Sequence, residues 1–334
     1  MAIVYWSYPH QAGFTKIEGA LSRHSWNELN SLSNCFVLCP FHAENGFYTI
    51  NGAIQSNISE VKVPVEWMAS LVKNAPKVTA TDYKDSVGKG LQGISDGRLE
   101  KIVLSRCQDV SSELLRDDFL AELKIKNPGA LISLILSEEL GCWVTASPEL
   151  LLKKSENNFT SFSLAGTQIK EQQEIGKKEQ KEQNIVTSYI VDVFKRHGLN
   201  TKIADQRKKN SGEIEHLLNE ISAQSNLVNS LSDLVAGLHP TPAVAGLPLQ
   251  SALEFLDIEG YARELYAGFQ GFMKNEEDFS FYVNLRIAQI YKDVIRFYAG
   301  AGIIQGSIPE REFSETASKM AVLQSVLLKQ YGSR

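Results

Sequence analysis

The sequence lacks the features that mark several large classes of protein. It contains neither the G-x-G-x-x-G pattern of dinucleotide-binding folds nor a phosphate-binding Walker loop. Its 34 basic and 39 acidic side chains give a net charge of −5, and no basic patch with interleaved aromatic residues is present, so nucleic acid is not expected as a partner. No apolar run approaches the roughly 20 residues of a membrane span, which argues against a membrane partner.

Cysteine is also scarce, and it points to a reducing compartment. Four cysteines in 334 residues do not form a dense disulfide framework. The first residues lack the basic and long apolar regions of a signal peptide. We therefore expect a cytoplasmic protein. A hydrophobic content of 43% and a charged content of 22% predict an ordinary globular fold with a sizeable core.

The most informative stretch lies near the carboxyl terminus. Apolar and polar residues alternate over 281–290, which predicts one continuous strand, and a turn at 292–293 leads into a return strand over 294–299. Gly300-Ala301-Gly302 is expected to follow as a turn. Its residues are small enough for backbone N–H groups to approach an anion.

A helix is predicted to begin near Pro309, a residue suited to the first helical position. Glu312, Glu315 and Lys319 then share one face of that helix. Spacing alone favours a solvated, salt-bridged helix start, since acidic residues suit a first turn. The alternative is a group of carboxylates and a lysine at a binding site.

Three further charged residues stand at apolar positions. Lys101 begins the apolar strand KIVLSR, either as an exposed edge lysine or as a desolvated base. Glu149 lies in SPELLL, where a carboxylate between a proline and three leucines fits a turn residue. Glu182 lies on the apolar face of a predicted helix and needs a partner, either a divalent cation or a buried lysine or arginine.

Taken in order, these segments resemble the chorismate-binding enzymes. The resemblance includes KIVLSR, SPELLL, AGT at 165–167, HPTPAVAG at 239–246, YAGAGI at 298–303 and the E-x-x-E-T sequence followed by lysine. That family contains isochorismate synthases, anthranilate synthase large subunits, aminodeoxychorismate synthases and salicylate synthases. The resemblance extends from about Tyr83 to the carboxyl terminus. It assigns 83–334 to the chorismate-binding catalytic region and 1–82 to a weakly informative part of the same unit.

Strands and helices alternate irregularly, with hairpins near the end, which indicates an α+β protein. The resemblance implies the chorismate-utilising enzyme fold: two large packed β-sheets, helices outside, and the active site between the sheets.

The resemblance also implies roles for individual residues. Lys101 corresponds to a general base toward water, and Glu149 to the general acid that protonates the departing hydroxyl. Glu182 and Glu315 correspond to ligands of Mg²⁺, with Glu312 close by. The set implied to bind chorismate is Ala165, Gly166, Thr167, His216, Ala243, Val244, Arg286, Tyr298, Gly300, Gly302 and Lys319. For His216, a hydrogen-bonded core histidine is at least an equal interpretation.

Two motifs distinguish among the members of the family. Aminodeoxychorismate synthases usually carry a nucleophilic lysine where this chain has Ala165, so covalent chemistry at that position is excluded. HPTPAVAG is typical of isochorismate synthases. We therefore expect an isomerase that makes isochorismate from chorismate, without an obligatory amidotransferase partner.

Anthranilate-synthase-like and salicylate-synthase-like activities remain alternatives, as does a catalytically silent chorismate-binding protein. Gln183 and Asn219 depart from the usual family residues, histidine and threonine. Whether the product supplies menaquinone or siderophore synthesis is left open.

Overall fold

The computed structural model describes residues 1–59, 61, 78–116, 118–169, 176–211, 214–225, 230–259 and 263–328. At 114, 167–169, 211, 214 and 259 only the backbone is described. Within these residues there are 17 strands and six α-helices. The strands are β1 Ala2–Ser7, β2 Phe14–His24, β3 Cys35–Cys39, β4 Phe47–Ile58, β5 Lys101–Ser111, β6 Leu131–Ser137, β7 Gly141–Ser147, β8 Leu150–Ser155, β9 Asn158–Ile169, β10 Thr201–Ile203, β11 Arg207–Ser211, β12 Ile214–Gln224, β13 Gly246–Leu247, β14 Phe269–Asn275, β15 Asp278–Val283, β16 Ile287–Ile290 and β17 Val294–Ile303. The helices are α1 Ala80–Ser95, α2 Phe119–Lys126, α3 Lys177–Arg196, α4 Leu231–Leu238, α5 Leu249–Glu259 and α6 Pro309–Leu327.

Antiparallel pairings join these strands into one continuous sheet. At one end, β10 and β11 both pair with β12. From β12 the order continues through β9, β8, β15, β14, β3, β4, β2, β1, β6, β7, β16, β17 and β5 to β13. The first four strands of the chain therefore lie in the middle of the sheet.

The sheet is folded so that its two parts face each other. Ser133 Oγ on β6 donates a hydrogen bond of 2.8 Å to Gln270 Oε1 on β14. Four strands separate β6 from β14, which in a flat sheet would place them about 24 Å apart. The rings of Trp6 on β1 and Phe36 on β3 likewise lie 5.1 Å apart across two intervening strands. The two packed sheets expected from the sequence are thus the two parts of this one sheet.

Helices cover the outer faces of the sheet. Helix α6 packs against β17 and α1, and helix α3 packs against β9 and β12. As predicted, α6 begins at Pro309, and its apolar side is buried at Met320, Leu323 and Leu327. In the described part of the chain, no helix is both long enough and apolar enough to cross a membrane.

The prediction of one continuous strand over 281–290 was wrong. The chain leaves the sheet at Asn284, whose N–H donates to Gly268 O at 2.7 Å and whose carbonyl accepts from Ala267 N at 2.9 Å. Arg286 then adopts a φ of +48°, which strand geometry does not allow. This interruption turns the Arg286 side chain into the space between the two parts of the sheet. The turn at 292–293 and the return strand are confirmed.

Candidate active site

A partly enclosed cavity with several charged lining residues lies between the two parts of the sheet. Strands β5 and β17 form one wall, and β9 and β12 form the opposite wall. Most of the residues that the sequence predicts for the site line this cavity, namely Glu149, Ala165, Glu182, His216, Ala243, Val244, Arg286, Tyr298, Gly300, Gly302 and Lys319. Residues separated by up to 170 positions in the chain are therefore brought together.

Glu149 is buried in the connection between β7 and β8. Its N–H donates to Ser147 Oγ at 3.3 Å, and its carbonyl accepts from Val283 N at 3.0 Å, so the backbone is fixed on both sides. Burial raises the pKa of the carboxyl to about 8, although four nearby cations oppose the shift. Within the described residues, Oε1 has no hydrogen-bond partner. A protonated carboxyl group with an unused oxygen at a cavity can donate a proton to a ligand.

Lys101 is buried directly behind the cavity. Its side chain is 0% exposed, so the interpretation as an exposed edge lysine was wrong. Nζ lies 2.9 Å from Glu182 Oε1, close enough for an ion pair but without the alignment of a good hydrogen bond. Burial opposes ionisation of Glu182, but Lys101 and other lysines hold its pKa below the ordinary value. Of the two partners considered for Glu182, the structure contains the buried lysine.

Arg286 and His216 form a buried pair across the cavity. Arg286 Nη2 donates to His216 Nε2 at 2.7 Å, and the Nε of Arg286 has no partner among the described residues. Burial, followed by the charges of Arg286 and nearby lysines, lowers the pKa of His216 well below its usual value. A neutral imidazole with its proton on Nδ1 can accept this hydrogen bond. The guanidinium group is left with a free N–H that can bind an anionic ligand.

Gly300 and Gly302 lie inside β17, so the predicted glycine turn was wrong. Gly302 is directly opposite Val103 on β5. Neither backbone group of Val103 bonds to β17: its N–H donates to Ala245 O at 2.8 Å, and its carbonyl accepts from Arg263 Nη2 at 2.6 Å. Because opposite residues in an antiparallel pair alternate between bonded and non-bonded, Gly302 also directs its backbone groups away from β5. Gly300 has the same orientation, and its carbonyl accepts from Lys319 Nζ at 2.8 Å. The glycines can thus present N–H groups beside the cavity from within a strand.

The carboxylates of α6 are paired with lysines, so the salt-bridged helix start suggested by spacing is confirmed, but Glu312 is buried and not solvated. Glu315 Oε1 lies 2.6 Å from Lys319 Nζ, and Glu312, which is 1% exposed, lies 2.5 Å from Lys178 Nζ. Burial and the neighbouring charge of Glu315 raise the pKa of Glu312, although Lys178 opposes the shift. Glu182 also acts on Lys178, so the three carboxylates share one neighbourhood.

The ligand atoms of these three carboxylates suit a divalent cation, but their positions in the structure do not form a metal site. Hard carboxylate oxygens are the donors that Mg²⁺ prefers. The repulsion between the buried Glu312 and the partly exposed Glu315 also favours a cation. However, no three metal-binding side chains of the described residues surround one point. The predicted Mg²⁺ site therefore stays a prediction.

The end of β9 supplies another wall of the cavity. Ala165 is buried there, and its N–H donates to Gln183 Oε1 at 2.8 Å. Gln183 Nε2 in turn donates to Asn219 Oδ1 at 2.9 Å, so the two residues that depart from the family pattern are partners. Gly166 has a φ of +62° and lies against α3. The side chain of Thr167, another predicted site residue, lies outside the described residues.

The loop that carries Ala243 and Val244 is fixed from two directions. Arg263 Nη1 donates to Val244 O at 2.7 Å. His239, at the start of the same loop, has its Nε2 3.0 Å from Pro40 O. Residues near the amino terminus therefore support one side of the cavity.

Several cavity residues were not predicted as site residues. They are mainly apolar or aromatic: Val103, Pro148, Leu164, Tyr266, Leu285 and Ala299. Lys178 was also missed, because it falls in a charge-rich run expected to be solvated. A signal was available, since Lys178 precedes Glu182 by four residues and so shares its helix face.

Comparison with known proteins identifies the class to which this site belongs. The sequence model of the family described as chorismate binding enzyme matches residues 33–328. The chain therefore belongs to the chorismate-binding enzymes.

Relatives of this chain include isochorismate synthases. The chain is 33% identical over 259 residues to isochorismate synthase MenF of Pasteurella multocida, covering 72% of this chain and 60% of that protein. It is 27% identical over 261 residues to isochorismate synthase EntC of Escherichia coli K12, covering 74% of this chain and 67% of that protein. The solved structure of MenF, the menaquinone-specific isochorismate synthase from Escherichia coli, has the same fold, with a TM-score of 0.79 at 22% identity over 98% of this chain and 89% of that one.

Proposed function

We propose that the protein is an isochorismate synthase, which adds water at C2 of chorismate and expels the C4 hydroxyl group. The observation that carries this proposal is Glu149, a buried carboxyl group with a pKa raised to about 8 and a free oxygen beside a cation-lined cavity. At neutral pH it holds the proton that a leaving hydroxyl needs. The isochorismate synthases among the relatives support the same activity.

In this proposal Lys101 is the general base that takes a proton from the attacking water. Its complete burial and its place beside Gly302 support the assignment, because a lysine away from bulk water can act on a water molecule bound in the cavity. A positioned acid and a positioned base can each contribute about 10²–10⁴-fold to the rate.

Arg286, Lys319 and the backbone of Gly300 and Gly302 bind the carboxylates of chorismate. The unpaired Nε of Arg286 and the orientation of the two glycines support this role. His216 accepts a hydrogen bond from Arg286 and thereby orients the guanidinium group. Ala165, Ala243, Val244 and Tyr298 shape the cavity around the ring. Gly166 and Thr167, next in the chain after Ala165, stay predicted substrate-binding residues.

Glu182 and Glu315 are proposed to hold Mg²⁺, with Glu312 close by. When bound, this ion would neutralise a substrate carboxylate and orient it. Lys101 and Lys319 lie within ion-pair distance of Glu182 and Glu315, and a bound Mg²⁺ would balance the two carboxylate charges in their place, so that Lys101 would be free to act as a neutral base. Ala165 offers no reactive group for covalent chemistry, and the segment HPTPAVAG favours water over ammonia from a partner amidotransferase.

The test is incubation of the purified protein with chorismate and Mg²⁺, with and without ammonia, and with the products resolved by chromatography. Isochorismate formed without ammonia and suppressed by a chelator is the expected result. Anthranilate that depends on ammonia would overturn the proposed nucleophile. Salicylate would add a pyruvate elimination, and tight binding without any product would indicate a silent chorismate-binding protein.

A further inference from the structure

Lys209 has no role in the proposed reaction, yet its side chain contacts the segment that carries Glu149. Lys209 Nζ donates a hydrogen bond of 2.6 Å to the carbonyl of Pro148, the residue directly before Glu149. The same Nζ lies 5.1 Å from the centre of the Phe162 ring, within cation–π distance. The ammonium group is therefore held at the back of the turn that presents the acid.

The sheet register explains how Lys209 reaches this turn. Lys209 on β11 lies directly opposite His216 on β12. Directly opposite residues of an antiparallel pair project to the same face, so Lys209 projects to the cavity side together with His216. At the same time Lys209 borders an open surface groove with His10 and Tyr282. A substitution at 209 therefore leaves the packed core largely untouched.

The charges of Lys209 and Glu149 act on each other. Lys209 is one of the cations that oppose the rise in the pKa of Glu149. Burial and the charge of Arg207 lower the pKa of Lys209 to about 8, and Glu149 opposes this shift. The other groups that face Glu149 are Lys101, Arg286, Lys319 and Tyr266. Arg286 and Lys319 are assigned to the carboxylates of the substrate, and Lys101 to the attacking water, so Lys209 is the one of the four cations that has no other assigned task.

We propose that Lys209 is a positioning residue for Glu149. It fixes the turn through Pro148 O, and its positive charge makes the proton of the acid easier to release. This inference rests on the proposed role of Glu149 as the general acid.

The test compares Lys209→Met, which removes the charge at similar length, with Lys209→Arg, which keeps it. Lys208→Met is the matched control, because Lys208 is the adjacent residue on the same strand, is largely exposed and is paired with Glu215 at 2.8 Å. For each variant, kcat and KM for chorismate are measured against pH, and thermal unfolding confirms the fold.

In Lys209→Met, kcat should fall about tenfold while KM changes less than about twofold, since only the proton-transfer step is affected. The alkaline limb of the kcat profile should move to higher pH, because loss of a nearby cation makes Glu149 hold its proton more tightly. Lys209→Arg should keep the limb at the wild-type position. The proposal is overturned if Lys209→Met matches Lys208→Met in both kcat and the position of the limb.

A second measurement separates this inference from the proposed function. Infrared difference spectra between the wild type and Glu149→Gln report the protonation of the Glu149 carboxyl group without any turnover. If the wild type makes no isochorismate, the function fails, but the carboxyl titration still decides the role of Lys209. A titration midpoint that is the same with and without the Lys209→Met substitution would refute the electrostatic part of the inference.

Discussion

Substitution of Gly302 by alanine tests the arrangement of Lys101 and Glu182 directly. A Cβ atom built on Gly302 lies 2.1 Å from Glu182 Oε1 and 3.0 Å from Lys101 Cε. Ordinary contact for a Cβ begins at about 3.4 Å, so the carboxylate oxygen would have to move by about 1.3 Å. That movement breaks the 2.9 Å ion pair and displaces the cavity wall. A misplacement of this size costs on the order of 10²-fold in rate, or about 2.7 kcal/mol of transition-state stabilisation.

The assay is kcat/KM for chorismate with Mg²⁺, accompanied by thermal unfolding. Gly88→Ala is the matched control, because Gly88 is an exposed residue of α1 with nothing within 4 Å of an added Cβ. It should keep full activity and gain roughly 0.5–1 kcal/mol of stability from better helix formation. If Gly302→Ala were as active as Gly88→Ala, either Glu182 would not lie against Gly302 or its position would not matter for the reaction.

Four further predictions concern the charged residues. The kcat/KM should fall as pH rises through about 8, since Glu149 must be protonated to act as an acid. In Glu149→Gln, kcat should be lower by about 10²-fold or more, and the decrease of kcat/KM near pH 8 should be absent. The raised pKa of Glu149 costs stability as pH rises from about 4.5 to about 8, so Glu149→Gln should unfold at a higher temperature than the wild type at pH 9, and a lower one would contradict the burial argument. Glu315→Gln should raise the Mg²⁺ concentration needed for half-maximal activity at least tenfold. Metal titration measures this change, with Glu310→Gln as an exposed control on the same helix. Lys101→Ala should abolish turnover and lower the unfolding temperature, because Glu182 loses its partner. The double variant with Glu182→Gln should regain stability but not turnover. Recovered turnover in the double variant would refute the base assignment.

The family resemblance, more than local pattern, selected the candidate site residues. Local pattern added that Lys101, Glu149 and Glu182 stand at apolar positions, where a charged side chain needs a partner. The sequence could not show that Lys101 lies beside Glu182, because that contact depends on β5 lying beside α3. Contacts of this kind join distant segments, and no periodicity reports them.

The errors have the same origin. The alternation over 281–290 is regular, so nothing local predicts that the chain leaves the sheet at Asn284 to bond with residues 267–268. Gly300 and Gly302 suggested a turn because glycine is common in turns. In the structure their lack of a side chain instead makes room for Glu182 and for the Tyr266 hydroxyl group against a strand. The glycines indicate where another group comes close to the backbone, but they do not indicate whether that backbone is a turn or a strand.

The central place of β1–β4 in the sheet has a consequence for how the chain is made. β3, completed within the first 39 residues, pairs with β14, which begins only at Phe269. During synthesis, the amino-terminal strands therefore emerge long before the partner that covers their edge. Until β14 arrives, β3 exposes unpaired backbone groups beside the buried Phe36 and Leu38. Chaperone demand and aggregation in the cell should be greatest for nascent chains shorter than about 270 residues.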